Sequence, residues 1–565
     1  MRDISRPSGL SRLFAAALGL WLLAAAAPAL ADPPLRVGRV SALFGPVSYH
    51  PANDGTWAPA MVNYPVTAGD AFWTEPNARA EFGFGEAVAR LDHASELEIL
   101  ALDVHQLRLQ LPQGTLSLRL RRLDPGTAYQ VATPRGTAIL TAPGAYDIVA
   151  GSADAPTLVS VLHGTATFDA AGAQLDLRAG EAVRIAGGAH PSYEIIEAAP
   201  SAFDDWSLAR DRAEQASAAL HYVSPAMPGY DDLDHYGTWQ PATAYGTVWY
   251  PNAVPADWAP YRYGRWVFVA PWGWTWVDDT PWGFAPFHYG RWVLLGGRWG
   301  WVPGAYAPQP VYAPALVAFL GTPNFGGAFG VGSIHAIAWI PLGPNEVYHP
   351  FYPCTPRYLR SINIANVRNP ATITARPRGA VALANMHYAN RPAMTAVSLA
   401  TFSAAHPIGR AMVRVPAATL DHQPLAMVTP PAPARNAPRG PAAAAPPRPG
   451  LRIAPQAGTF HPASHPPQPT VMRGAGPGPN HATPQAAPAH PAVAPNHRPP
   501  AAAYAARPEA SPHPAISHPT QHAPLVETPQ GWRRQESRPA SHPAHAATPQ
   551  HKAPAKDTRQ RPPGP

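Results

Sequence analysis

The folded part of the chain is predicted to be all-β, on three observations. Short runs of alternating apolar and polar residues recur between Gly, Pro, Asn and Asp over residues 36–199, the pattern of strands with one buried face. A Tyr-Gly-x-Trp word then returns three times at nearly equal intervals, ending at Trp239, Trp266 and Trp292, which marks one supersecondary unit used repeatedly. From about residue 420 to 565 the chain is Pro, Ala, His, Gln and Arg without aliphatic periodicity, and such a segment cannot bury enough apolar surface to offset chain entropy. The expected architecture is a β-sandwich, roll or short solenoid, a connecting helix, a Trp-rich β-hairpin repeat domain and a long disordered C-terminal tail.

The first 31 residues read as a secretory signal peptide. Arg2, Arg6 and Arg12 precede an apolar run over 13–27, and Ala29-Leu30-Ala31 supplies a small-x-small site with cleavage expected between Ala31 and Asp32. The run is shorter than the ~20 residues a spanning helix needs, and no later stretch is long and apolar enough to span once the signal is removed. The protein is therefore expected to be exported, to the periplasm or outer cell surface of a Gram-negative bacterium. Cys354 is the only cysteine, so no internal disulfide forms; with no cysteine-enzyme motif around it, it reads as an incidental or buried thiol. The formal charge of +7 is modest over 565 residues. Its basic residues do not gather beside a recognisable binding motif, which sets nucleic acid aside.

Within 36–199, Leu107, Leu109 and Leu111 alternate with polar residues, as do Leu116, Leu118 and Leu120, with a turn at Pro112-Gln-Gly114 between them. Glycines at 69, 114, 136, 144, 164 and 180 fall between strands, where a positive φ is often required. Ala68-Gly-Asp70, Thr74, Ala78-Arg-Ala-Glu-Phe82, Arg90-Leu-Asp92, Ser95-Glu-Leu97, Gly114-Thr-Leu116, Val131-Ala-Thr-Pro134, Gly136, Pro143-Gly144 and Gly164 follow one another in an order and spacing that resembles the FecR-like domain family. That resemblance covers about 150 residues. It implies an all-β periplasmic module, in a family whose best-known members relay a signal from an outer-membrane transporter to a sigma factor. Those regulators carry a cytoplasmic helical segment and a membrane helix where this chain has its signal peptide. The resemblance thus implies a periplasmic or surface β-module rather than a sigma-factor binder.

Residues 201–223 read as a connecting helix capped by Ser201 or Asp204. Phe203, Trp206, Ala213, Ala216 and Leu220 are expected on its buried side, with Arg210, Arg212 and Glu214 solvated. Residues 229–415 form the Trp-rich repeat domain. Val267-Phe-Val269 and Trp272-Gly-Trp-Thr-Trp-Val277 make one expected hairpin; Val293-Leu-Leu295 and Arg298-Trp-Gly-Trp-Val302 make a second around Gly296-Gly297. Gly273 is expected to let a ring lie against backbone. The Tyr-Gly-x-Trp units, with Ala338-Trp-Ile-Pro-Leu-Gly-Pro344 and Pro350-Phe-Tyr352, resemble an uncharacterised Trp-rich family of exported bacterial proteins, which implies architecture and compartment but no activity.

Two readings of the aromatics stand side by side. Trp266, Trp272, Trp274, Trp276, Trp292, Trp299 and Trp301 form an exposed platform for sugar rings, or they are the core of a unit poor in Leu and Ile. Arg265 and Arg291 are expected to stack on neighbouring rings or to be solvated. Asp278 and Asp279 are the best candidates for a glycosidase carboxylate pair, but two adjacent acids at Asp-Asp-Thr-Pro suit a turn better. His235, His288 and His335 are scattered, and the tail histidines lack zinc-ligand spacing. No catalytic residue, metal site or cofactor is expected. The functional reading is a non-catalytic envelope interaction or scaffold protein that contacts wall or surface polysaccharide or an envelope protein. The alternative is a periplasmic signalling component of FecR-like type that senses an envelope ligand and contacts a membrane partner. Oligomeric state is not specified.

Overall fold

The computed structural model describes residues 32–433 apart from 53–55, 171–172, 188–190, 322–328, 332–333, 375–380, 383–386 and 416–423, together with 443 and 445–447. The segment through Ala31 read as a signal peptide, and most of the span read as the tail, lie outside the described residues.

The fold is all-β with few short helices. Two nine-stranded sheets account for residues 38–197 among the described residues. One runs, edge to edge, Ser192–Glu197, Glu181–Ala186, Thr157–His163, Gly144–Val149, Thr115–Leu120, Ala87–Leu91, Arg79–Gly83, Gly38–Phe44, Pro65–Val66. The other runs Ala173–Arg178, Thr165–Ala170, Gly136–Leu140, Ala128–Thr133, Gln106–Gln113, Ser95–Leu102, Ala71–Thr74, Val47–His50, Ala58–Pro59. Beyond its first turns the chain lays strands on one sheet, then the other, in pairs apart from the lone Thr115–Leu120, so the sandwich is wound rather than folded from two separate meanders. Pairing is antiparallel except for Gln106–Gln113 with Ala128–Thr133. Leu107, Leu109, Leu111, Leu116, Leu118 and Leu120 are all buried. The turn between them is not a hairpin. At Gly114 the chain crosses from one sheet to the other, with φ +88°, and a Cβ there would sit 2.1 Å from the Ser95 Oγ.

Polar residues in this sandwich build joints between its strands and turns. Asp70 accepts from Thr67 N (2.8 Å) in a turn beside Gly69 at φ +90°. Arg79 pairs with Asp92 (2.7 Å), and Arg90 with Glu81 (2.7 Å).

The connecting helix spans Ala202–Gln215, ending earlier than expected, and a 3-10 turn covers Ala218–His221. Ser201 caps it in a reciprocal capping box with Asp204. Its buried face corrects the sequence expectation. Phe203, Asp204, Ser207, Asp211 and Glu214 are buried, while Ala213 and Ala216 are exposed and Trp206 and Leu220 are half-buried. The reason lies on the sheet, which presents Arg90 to that face. The Arg90 guanidinium reaches Glu81, Asp211 (2.6 Å) and Glu214 (2.8 Å) at once; Arg121 also pairs with Glu214, and Arg210 with Glu81 (2.5 Å). The helix is fastened by ions instead of by an apolar stripe.

In the Trp-rich part, three hairpins form, and each sets two tryptophans opposite each other. Gly237–Ala242 pairs with Gly246–Pro251 (Trp239 opposite Trp249), Gly264–Val269 with Gly273–Asp278 (Trp266 opposite Trp276), and Arg291–Leu295 with Arg298–Val302 (Trp292 opposite Trp301). The first and third join in one four-stranded sheet through Trp249 and Trp301; the second stands apart as a two-stranded ribbon. Gly296 and Gly297 both have positive φ, 56° and 78°, as a primed two-residue hairpin turn requires.

A further sheet of Phe329–Val331, Ile334–Pro341, Val317–Gly321, Pro424–Met427 and Val381–Ala382, with Thr395–Ser398 added, closes the unit. The strand Pro424–Met427 falls inside the span read from the sequence as tail, which corrects that reading for residues 424–433. One hydrophobic cluster runs from Val37 to Val428 through sandwich and Trp-rich residues alike.

Candidate functional site

The glycine of each Tyr-Gly-x-Trp word explains the repeat. A Cβ on Gly237 would meet the Trp249 ring at 2.2 Å, one on Gly264 the Trp276 ring at 2.6 Å, and one on Gly290 the Trp301 ring at 2.4 Å. Each glycine is a bare patch of backbone on which the opposite strand's indole rests. Gly273, the position expected to do this, is less crowded: its nearest neighbour is Phe268, at 3.4 Å from the built Cβ.

The three indoles seated on these glycines, and that of Trp292, find acceptors nearby. Trp249 donates to Leu233 O (2.8 Å), Trp292 to Pro286 O (2.8 Å), Trp301 to Tyr289 O (2.8 Å) and Trp276 to Asp278 Oδ2 (3.0 Å). Ring edges interlock: Trp266 lies 5.4 Å from both Trp276 and Trp339, and Trp282 lies 5.0 Å from Trp249 and 5.8 Å from Trp258. Edge-to-face pairs of this kind add about 0.5–1.5 kcal/mol each beyond the area they bury.

The platform reading is thereby corrected. Trp266, Trp272, Trp274, Trp276, Trp292 and Trp301 are buried, each 2% exposed or less. Trp299 alone of the seven is half-buried. A ring enclosed on both faces has none to offer a sugar, and the scarcity of Leu and Ile in this unit is why the indoles are enclosed. Trp249, Trp258, Trp282 and Trp339, not singled out from the sequence, belong to the same core.

The candidate carboxylates separate. Asp278 is buried and accepts from Thr280 N (3.0 Å), Thr280 Oγ1 (2.5 Å) and Trp276 Nε1; burial pushes its pKa up to about 7. Asp279 is exposed, 3.8 Å from Arg265. The turn they form is a docking point on the sandwich. Asn63 Nδ2 donates to Asp278 O (3.2 Å) and Thr280 O (2.7 Å), and Arg39 Nη2 to Pro281 O (2.8 Å). Arg39 is buried; it also bonds Asn63 Oδ1 and pairs with Asp232 (2.5 Å). No sequence signal marks Arg39 or Asn63 as the joint, because their partners lie over two hundred residues away.

Arg291 is buried, donating to Glu346 O (3.2 Å), Gly290 O (2.8 Å) and Asn363 Oδ1 (3.0 Å); these bonds replace the expected ring stacking or solvation. His288 is buried, with Nδ1 donating to Ala313 O (2.8 Å), and burial lowers its pKa to about 3. His235 and His335 are exposed. Among the described residues no group of three His, Cys, Asp or Glu is placed to hold a metal, and no helix is long and apolar enough to cross a membrane. Asp32, the first residue after the expected cleavage site, accepts from Thr355 N (2.7 Å) and Oγ1 (2.6 Å), so it anchors the residue that caps the helix Pro356–Asn363.

One largely apolar hollow of about 290 Å³ is walled in part by Leu35, Tyr222, Val311 and Ile362. Tyr306 and Ile364 stand at it 62% and 48% exposed. A second hollow of about 400 Å³ shares Gly304, Ala305 and Asn366 with it. These walls suit an apolar or aromatic group, and they present no nucleophile paired with a base.

A family of unknown function (DUF6600) matches residues 230–346. No curated protein matches. Two crystal structures of a candidate anti-sigma factor from Parabacteroides distasonis ATCC 8503 are similar, at 13% and 12% identity and a TM-score of 0.22 each. Each similarity covers 24% of this chain and 63% or 64% of the solved one, so this chain spans under two thirds of their length.

Proposed function

We propose that the protein is a non-catalytic, exported envelope component, in which a FecR-like sandwich and a Trp-rich unit act together as a rigid interaction scaffold. The observation that carries this reading is the continuous core from Val37 to Val428. The acids and indoles that a hydrolase or sugar platform would present are fixed in this core or at its joint, as Asp278 and Trp276 are. Recognition then belongs to surface left outside the core, chiefly the Tyr306 and Ile364 hollow and the half-buried Trp299. Wall or surface polysaccharide is the ligand class we assign to the Tyr306 and Trp299 rings.

The test uses the full mature chain against purified peptidoglycan and the cell's own exopolysaccharide. Saturable binding weakened by Tyr306→Ala or Trp299→Ala, without release of reducing sugar, is the expected result. Sugar release lost in Asp279→Asn would overturn the non-catalytic reading, and absence of binding to both polymers would overturn the ligand class. Amino-terminal sequencing of protein from the envelope should begin at Asp32.

A further inference from the structure

Trp274 differs from the other buried indoles. Its ring packs on Phe402 (4.5 Å between centroids), but its N–H leaves the hairpin unit and donates to the carbonyl of Pro431 at 2.6 Å. Pro431 belongs to Thr429-Pro-Pro-Ala-Pro433, which follows the strand Pro424–Met427 and has no regular secondary structure. Pro430 is buried and Pro431 half-buried. Proline has no N–H, and an extended proline segment makes no internal hydrogen bonds, so its carbonyls are open to an outside donor.

An indole N–H set in an aromatic surface is the chemistry by which proline-rich segments are recognised. That surface continues beside Trp274. Phe268 stands edge-on at 5.7 Å and 52% exposed, Gly273 carries no side chain, and half-buried Phe351 comes within 3.9 Å of where a Cβ on Gly273 would lie.

We propose that the Trp274/Phe268 face is a binding site for proline-rich segments, and that residues 429–433 of the same chain are its resident ligand. The inference is independent of the scaffold reading: its failure leaves the polysaccharide test untouched.

The experiment uses the full mature chain carrying Pro430→Gly/Pro431→Gly, which frees the strap, and a fluorescein-labelled peptide of residues 427–434 added in trans. Saturable anisotropy with the variant, at least tenfold weaker binding to the wild type with its occupied site, and loss of binding to a peptide with Gly at both prolines are expected. Adding Trp274→Phe to the variant keeps a ring but deletes the donor, and should weaken the peptide about tenfold, the size of one neutral hydrogen bond. A folded variant that does not bind, or binding indifferent to the prolines or to Trp274→Phe, overturns the proposal. If the double-glycine chain does not fold, protease cleavage within residues 427–434 of the full chain decides. Cleavage should quicken in Trp274→Phe against the wild type, and an unchanged rate overturns the proposal. A wild-type dimer abolished by Pro430→Gly/Pro431→Gly supports the same site, filled by a second copy's strap.

Discussion

In the β-sandwich the enclosed side chains are Leu, Val, Phe and Ala delivered by strand alternation, and the long charged residues sit on an outer face under a helix. In the Trp-rich unit the enclosed side chains include indoles in cross-strand pairs, one of each pair resting on a glycine, and indole N–H donors stand among the buried polar groups. The sandwich can exchange one aliphatic residue for another at modest cost, since cores tolerate volume-conserving swaps. The Trp-rich unit has less latitude at Trp249, Trp276 and Trp301, where ring, glycine and acceptor are matched, so a change to any of the three breaks the set.

The largest effect that would sharpen this contrast is Trp276→Ala, expected to cost about 3–5 kcal/mol by cavity formation alone. It also strands the buried Asp278 without its indole partner. Chemical denaturation should show the loss, whereas Leu109→Met in the sandwich should cost less than about 1.5 kcal/mol. Equal losses at the two sites would erase the distinction. Next comes Arg90→Met, which leaves Asp211 and Glu214 facing the sheet without their shared cation. Breaking a buried pair in this way costs about 3–5 kcal/mol, and protease cleavage within residues 202–215 should accelerate.

Gly264→Ala is expected to cost about 1–3 kcal/mol by overpacking against Trp276, with Gly237→Ala and Gly290→Ala close to it. Gly180→Ala in the sandwich meets no neighbour and pays only for its φ of +86°. A milder loss, about 1 kcal/mol, should follow Ser201→Ala at the helix cap, read as a shift in denaturation midpoint.

The last prediction concerns slope rather than height. Asp147 lies buried in the strand Gly144–Val149 with Oδ1 unpartnered; burial, then the nearby Asp204 and Asp92, raise its pKa to about 8. A carboxyl whose folded pKa exceeds its unfolded value of 3.8 stabilises the fold fully below that value. The contribution is lost as pH rises through about 8. Asp147→Asn should therefore flatten the decline in stability between pH 4 and 8, and an unchanged slope would count against the buried acid as its cause.

Much of this was legible in the sequence. Alternation at Leu107–Leu111 and Leu116–Leu120 announced the strands, Gly296-Gly297 announced a tight turn, and the repeated word announced equivalent hairpins. The word could not reveal that its glycine seats the opposite indole, since the partner Trp lies eleven or twelve residues beyond that glycine, outside the word. The helix departs from its expected face because its amphipathicity is not simply apolar against charged. Only the tertiary position of Arg90, more than a hundred residues earlier, makes Asp211 and Glu214 the buried side. The Arg39–Asn63 joint to the turn at Asp278 was hidden for the same reason, and the two stretches that looked like separate domains share one core.

The close-set rings have an optical consequence. Trp266, Trp276 and Trp339 hold their centroids 5.4–6.5 Å apart at interplanar angles of 69°, 80° and 51°. Electronic transitions on neighbours so near and so steeply inclined mix and split into bands of opposite rotational sign. The folded protein should therefore carry an exciton couplet in the indole region of its circular dichroism, a signal that the sandwich, with its few rings, contributes little to. Melting followed at that couplet would report the Trp-rich hairpins alone, within an otherwise β-dominated spectrum.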